Sequence, residues 1–256
     1  MENVVEFNHV TKIYNTSKGK YGLLTEFLGE KLLKPFAFNR DNKNQIVALK
    51  NVSFKIDQGE VVGIIGRNGA GKSTILKLIS RITYPNSGTV SAIGRIGAFI
   101  ELGAGLHPEL TGRENIFLYG AILGMKRSQI ENKFDDIVNF AEIKRFLDLP
   151  IKKYSSGMYS RLGFSVCAFC DPDILLVDEV LAVGDVNFQK KCLERMREFR
   201  RDGKTIIFVS HNLEAISSIC DKVIYLEKGK VIIWGKPKRV INYYLAKAQK
   251  DYRLTS

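Results

Sequence analysis

The stretch Val61-Val62-Gly63-Ile64-Ile65-Gly66-Arg67-Asn68-Gly69-Ala70-Gly71-Lys72-Ser73-Thr74 decides the fold. Residues 66–73 match G-x-x-x-x-G-K-[ST], a glycine loop that cradles nucleotide phosphates. Residues 61–65 form a short apolar run with β-branched side chains, which reads as a buried strand. Beyond the loop, Ile75, Leu76, Leu78 and Ile79 line one face of a helix. Strand, loop and helix follow in the order the chemistry requires. Gly66, Gly69 and Gly71 allow tight turns that present N–H groups to phosphate. The helix aims its positive dipole end at the same place. Lys72 is expected on the β- and γ-phosphates of the nucleotide, and the Ser73 hydroxyl on Mg²⁺.

Two further strands complete this expectation. Ile174-Leu175-Leu176-Val177-Asp178-Glu179 is four apolar residues followed by two acids. It reads as a buried strand whose carboxyl end opens at the phosphates. Asp178 is placed on Mg²⁺ and Glu179 beside the attacking water, which it would orient and polarise. Thr205-Ile206-Ile207-Phe208-Val209 is another buried strand, ended by Ser210-His211. A strand's carboxyl end is where such sheets bind ligands, so His211 is a candidate for the γ-phosphate. His9 and His107 lack that setting and read as structural.

The flanking chain is read more coarsely. Val4 to Phe7 suggests an edge strand, and Tyr14 beyond it could stack on an adenine ring. Between 16 and 46 the pattern is interrupted. Tyr21, Leu23, Leu24, Phe27, Leu28, Leu32 and Leu33 recur at helical spacing, with Glu26, Glu30, Lys31 and Lys34 between them, and Pro35 ends the run. That amphipathic helix suits packing on the core, lying on a membrane surface or docking a partner. Ala48–Val52, Phe54–Ile56, Thr89–Ile93 and Ile96–Ile100 read as strands. With the first strand they predict an antiparallel sheet beside the nucleotide core. Thr111-Gly112-Arg113-Glu114 and Ser128-Gln129-Ile130-Glu131 are capping-box patterns opening two helices, to about Leu123 and about Phe140. Residues 103–165 are therefore expected to form a helical insertion. Residues 187–200 read as a helix, Val223–Leu226 and Val231–Trp234 as a hairpin, and 236–256 as a basic helical tail.

Composition sets the outer limits. The chain has 256 residues, 45% apolar and 26% charged, enough for a core and ordinary for a globular protein. No apolar run approaches the ~18 residues of a membrane span. The N-terminus lacks the basic and apolar regions of a signal peptide, so a cytoplasmic location is expected. Cys167 and Cys170 form a C-x-x-C on an apolar helical stretch with no second pair at metal spacing, and read as core thiols. Net charge is +12, and residues 190–256 supply +9 of it. That excess suits an anionic neighbour, nucleic acid or a membrane face, as well as a plain solvated surface.

Taken together, these residues resemble the ATP-binding subunit of an ABC transporter over nearly the whole chain. Gly66–Ser73 matches Walker A, and Ile174–Glu179 matches Walker B with its catalytic glutamate. His211 matches the switch histidine, and Tyr14 the adenine-stacking position. Leu181-Ala182-Val183-Gly184-Asp185 occupies the D-loop position. Tyr154-Ser155-Ser156-Gly157-Met158 stands in place of the L-S-G-G-Q signature, with Ser156 and Met158 replacing Gly and Gln. Glu101 stands where the family has the Q-loop glutamine. It still offers oxygen to Mg²⁺ but adds negative charge near the triphosphate. The stretches 101–115, 153–158 and 178–185 are similar to the ATPase subunits of polysaccharide exporters, which move lipid-linked O-antigen, teichoic acid or capsular polymer. Some O-antigen members carry a C-terminal carbohydrate-binding domain. This sequence stops at Ser256, before one, so it is expected either to be of the type without that domain or to be a piece cut from a longer chain.

The resemblance implies a single α/β domain. Its core is a P-loop NTPase (RecA-like) fold, with an antiparallel β subdomain and an inserted helical subdomain. It implies an ATPase that powers export of a lipid-linked polysaccharide, O-antigen first, at the cytoplasmic face of the inner membrane. It also implies a separate membrane-spanning partner and a head-to-tail homodimer with two ATP between subunits. Tyr14, Gly66, Asn68, Gly69, Ala70, Gly71, Lys72, Ser73 and Thr74 of one subunit would hold ATP. Ser155, Ser156, Gly157 and Asp185 would complete the site from the other. Ser73, Glu101 and Asp178 would hold Mg²⁺, and Glu179 and His211 would be catalytic. The rival class, a soluble ABC ATPase on ribosomes or nucleic acid, is disfavoured. Translation-type members carry two cassettes and repair-type members a long coiled coil, whereas this chain has one cassette and no sustained heptads.

Overall fold

The computed structural model describes residues 2–15, 45–99, 105–178 and 185–255. Its centre is a six-stranded sheet in the order β5(Ile96–Phe99), β6(Ile174–Val177), β7(Thr205–Val209), β3(Val61–Ile65), β8(Lys222–Glu227), β9(Lys230–Gly235). The pairings from β5 to β8 are parallel, and β9 returns antiparallel. Strands β3, β6 and β7 are buried at every residue. Parallel strands carry layers on both faces, which is why these segments are continuously apolar.

The period of two assigns alternate residues to different layers. Leu175, Val177, Ile206 and Phe208 face a core with Phe164, Phe188, Met196, Phe199 and Ile216. These come from α4(Ser156–Phe169), α5(Val186–Arg201) and α6(Leu213–Ile219). Ile174, Leu176, Ile207 and Val209 face the opposite core. There they meet Ile75, Leu76 and Ile79 of α1(Lys72–Ile79), and Val5, Phe7, Leu49 and Phe54 of a second sheet. That sheet is antiparallel, in the order β2(Gln45–Asp57), β1(Asn3–Asn15), β4(Ser87–Ala92). Its β1 and β2 are each 13 residues long. Both run through the breaks expected from sequence, with register shifts at several points.

A third core joins α2(Gly112–Ile122), α3(Arg127–Ala141) and α4 through Ile116, Ile130, Ile137, Leu162 and Val166. Helix α4 belongs to both this core and the sheet core, since Phe164, Cys167 and Ala168 face the sheet. All four cysteines, Cys167, Cys170, Cys192 and Cys220, are buried free thiols. The last helix, α7(Pro237–Thr255), closes the order. No helix among the described residues is long and apolar enough to cross a membrane.

Two expectations are corrected. Ile96–Phe99 does not join the antiparallel sheet; it is the edge strand of the parallel one. Gly94 takes φ +116°. The Arg95 N–H then donates to Asp173 Oδ2 at 2.7 Å, and the Arg95 carbonyl accepts from the N–H groups of Asp173 and Ile174. These bonds fasten the chain to the start of β6 before a hairpin can close. Helix α3 begins at Arg127, ahead of the Ser128 box. Its N-cap is Lys126, whose N–H donates to Gln129 Oε1 at 2.8 Å. The Thr111 box holds: Glu114 N–H donates to Thr111 Oγ1 and Thr111 N–H donates to the Glu114 carboxylate. The amphipathic stretch expected within 16–46 lies outside the described residues up to position 44, and β2 starts at Gln45.

Candidate active site

The site forms where β3, β6 and β7 end together. Ile64 is in register with Val209, and Val177 with Phe208. Gly66, Asp178 and Ser210-His211 therefore emerge along one edge. The connection is direct: His211 Nε2 lies 3.1 Å from Asn68 Oδ1, joining the end of β7 to the loop after β3. Asp178 is 8% exposed, and its N–H donates to the Phe99 carbonyl at 3.0 Å.

The loop is a backbone cup. Ala70 N–H donates to Arg67 O at 3.1 Å, and Ile75 N–H to Gly71 O at 3.2 Å as α1 begins. Gly71, the N-cap of α1, takes φ +106°, and a Cβ there would stand 2.5 Å from the Ala48 carbonyl oxygen. Gly69 takes φ +77°, but a Cβ there would meet nothing within 4 Å. The loop thus has a packed side at Gly71 and an open side at Gly69. Arg67, Asn68 and Gly69 are exposed, whereas Gly66 and Ala70 are buried. Lys72 is 5% exposed, and its ammonium donates to the carbonyls of Gly66 at 3.0 Å and Arg67 at 3.3 Å. The first turn of α1 carries no acid, so nothing within the helix itself opposes its N-terminal dipole. Ser73 and Thr74 follow on the first turn, half-buried.

Support comes from the hairpin of β8 and β9. Gly229 N–H donates to Ala70 O at 3.0 Å, while its own carbonyl accepts from Lys50 N–H at 2.8 Å. The hairpin therefore locks β2 to the loop, a role the sequence did not signal. Tyr14, on β1, lies beside the same strand. It pairs with Ile46, two residues from Ala48, or about 7 Å along the strand at the usual rise. The Lys12 ammonium lies 5.0 Å from its ring centroid.

Ser155, Ser156 and Gly157 are set elsewhere, at the N-terminus of α4. Ser155 is its N-cap and accepts from Met158 N–H at 3.2 Å. Ser155 and Ser156 are exposed, and a Cβ on Gly157 would meet only Ser155 Oγ within 4 Å, at 3.9 Å. Asp185 caps α5 by accepting from Phe188 N–H at 2.9 Å. That bond, then the Arg161 guanidinium, holds its carboxyl below the usual range. Arg161 was missed from sequence. The available signal was a lone arginine entering the apolar run 162–168. Glu101, Glu179 and 181–184 lie outside the described residues.

A parallel strand, phosphate loop and helix, with an acid and a histidine delivered to one edge, fit nucleotide chemistry. The sequence profile of the ABC transporter family matches residues 49–182. The chain belongs to the ABC transporter ATPase family. It is 44% identical to an O-antigen export system ATP-binding protein RfbB of Klebsiella pneumoniae, over 95% of this chain and 98% of that protein. It is 43% identical to a teichoic acids export ATP-binding protein TagH of Bacillus anthracis, over 95% of this chain and 43% of that one. Among solved structures, the dimeric ATP-binding cassette MJ0796 in a post-hydrolysis state with ADP and Pi aligns with a TM-score of 0.73. That match is 24% identical and covers 91% of this chain and 98% of the cassette. This ABC ATPase therefore shares the cassette fold, and its family binds and hydrolyses ATP.

Proposed function

We propose that this ABC ATPase powers export of a lipid-linked polysaccharide, O-antigen first, from the cytoplasmic face of the inner membrane. It works as a homodimer with a separate membrane-spanning subunit. The observation that carries the reading is the 44% identity to the O-antigen export protein along 95% of the chain. The similar identity to the teichoic acid export protein keeps that polymer as the second reading.

The residues divide the work by position. ATP lies in the cup, with its adenine toward Tyr14. The Lys72 ammonium exchanges the carbonyls of Gly66 and Arg67 for the β- and γ-phosphates. A hydroxyl at Ser73 and a nearly buried carboxylate at Asp178 make a hard oxygen donor set, which suits Mg²⁺. Bound there, Mg²⁺ would neutralise charge on the phosphates. Glu179 orients water toward the γ-phosphorus and receives its proton as the bond to the bridging oxygen breaks and ADP leaves. His211 releases Asn68 and hydrogen-bonds the γ-phosphate. The α4 N-terminus, with Ser155, Ser156 and Gly157, clamps that phosphate on the partner subunit. ATP closes the dimer, hydrolysis releases it, and the differential affinity of the two states drives transport.

The test uses Glu179→Gln protein held with ATP in solubilised source membranes. The expected result is co-purification of a polytopic membrane protein whose neighbouring genes make O-antigen or teichoic acid. Recovery of ribosomes or nucleic acid without a membrane protein would overturn the reading.

A further inference from the structure

Strand β8 flanks β3 on the side away from β7 and His211. Its end presses on the phosphate loop. A Cβ on Gly66 would stand 2.2 Å from the Leu226 carbonyl oxygen, and one on Gly71 would stand 3.2 Å from Leu226 Cδ2. Three residues on, Gly229 N–H donates to the Ala70 carbonyl. Between these two contacts stands Glu227, the half-buried last residue of β8. A period of two puts its side chain on the face of Tyr225, in the core that α7 enters with Val240 and Ile241.

Helix α7 climbs this strand in step. The Tyr244 ring lies 5.2 Å from that of Tyr225, and the Tyr243 ring 6.2 Å. One turn further, the Lys247 ammonium donates to Glu227 Oε2 and lies 5.9 Å from the Tyr225 ring centroid. The Lys247 and Glu227 side chains are 31% and 20% exposed, so the pair is partly withdrawn from water. Lys228 and Lys230 of the adjoining turn are exposed. The bond to Glu227 is the main cause that raises the Lys247 ammonium above the ordinary 10.5.

The charge of this pair carries the inference. A lone carboxylate beside the loop repels a polyphosphate, whereas a carboxylate held by an ammonium presents no net charge. Resting on ATP seated in the cup as proposed above, we propose that Lys247 is a positioning residue for nucleotide binding. It holds and cancels Glu227 at the flank of the cup, so the last helix of the chain sets the affinity of the phosphate loop.

Titration of a fluorescent ATP analogue, and of the matching ADP analogue, into the full chain tests this at about 0.05 M and about 0.5 M salt. Lys247→Met leaves Glu227 uncancelled and should raise Kd for the ATP analogue about 3- to 10-fold at low salt. The loss should be smaller for the ADP analogue, which carries less charge, and should shrink to within about twofold at high salt. Glu227→Gln leaves the ammonium alone and should lower Kd about 2- to 5-fold. The double variant carries no charge at either position and should lie within about twofold of wild type. A bridge that merely fastened α7 would instead give both single variants the same sign, with no rescue in the double.

Weaker binding in both single variants, or no change in either, would overturn the inference. So would a Lys247→Met loss that is equal for the two analogues and indifferent to salt. If circular dichroism shows that Lys247→Met does not fold, the sign of the Glu227→Gln effect carries the test. Normal binding by Lys72→Ala would refute the seat of ATP in the cup, so the two failures are distinguishable.

Discussion

Alanine at Gly71 would put a methyl carbon 2.5 Å from the Ala48 carbonyl oxygen and 2.8 Å from Leu49 Cδ2. The backbone there is also at φ +106°, where a Cβ is strained. Left-handed backbone costs an L-residue about 1–2 kcal/mol. Overpacking against an element that cannot swing aside adds about 1–3 kcal/mol, because Gly229 hydrogen-bonds both β2 and the loop and ties the two together. Gly71→Ala should therefore lose about 2–5 kcal/mol of stability. Gly69→Ala meets open space and bears only the strain, about 1–2 kcal/mol. Urea unfolding followed by circular dichroism measures both, and an ATP analogue titrated into the folded variants measures the site. The expected pattern is a large midpoint shift for Gly71→Ala and a small one for Gly69→Ala. With ATP seated as proposed above, Gly69→Ala should also lose nucleotide affinity, because the added methyl stands on the exposed part of the loop. Equal destabilisation by the two, or normal binding by Gly69→Ala, would refute the division into a packed and an open side.

The cysteines give a second expectation: burial pushes the Cys192 and Cys220 thiols up to about 12 and raises Cys167 as well, with its hydrogen bond to Cys170 the largest cause. Native protein at pH 8 should therefore react slowly with a thiol reagent, and unfolded protein should release all four quickly. Glu142 supplies a pH dependence. Its hydrogen bond from Lys191, partly opposed by burial, holds its carboxyl below the ordinary 4.5. A depressed carboxylate stabilises the fold above its unfolded value, and that contribution fades as pH falls through the folded one. Wild type should thus exceed Glu142→Gln by about 1 kcal/mol or less near neutrality, as partly exposed pairs do. The gap should close in unfolding curves taken below pH 4.5, and a gap that widens in acid would contradict the assignment.

The sequence by itself determined the parts whose physics is local. An apolar strand, a glycine loop and a helix each have a local signal, so the strand–loop–helix unit was legible from 61 to 79. Strands β6 and β7 were legible because both of their faces are buried, which leaves an unbroken apolar run ending in Asp178 or His211. The Thr111 box was legible because both of its hydrogen bonds lie within four residues. Tertiary structure decided whatever depends on distant partners. Whether Ile96–Phe99 turned back on β4 or crossed to β6 rested on Asp173, 78 residues beyond Arg95. The cup's packed side rested on Ala48 and Gly229, which are far from the loop in sequence. The link from Arg161 to Glu142 and Asp185 joins residues 19 and 24 positions apart, in different helices. Periodicity records which face of an element is buried. It does not record which other element covers that face, because packing is satisfied by any apolar neighbour of the right shape, while hydrogen bonds and ion pairs choose one.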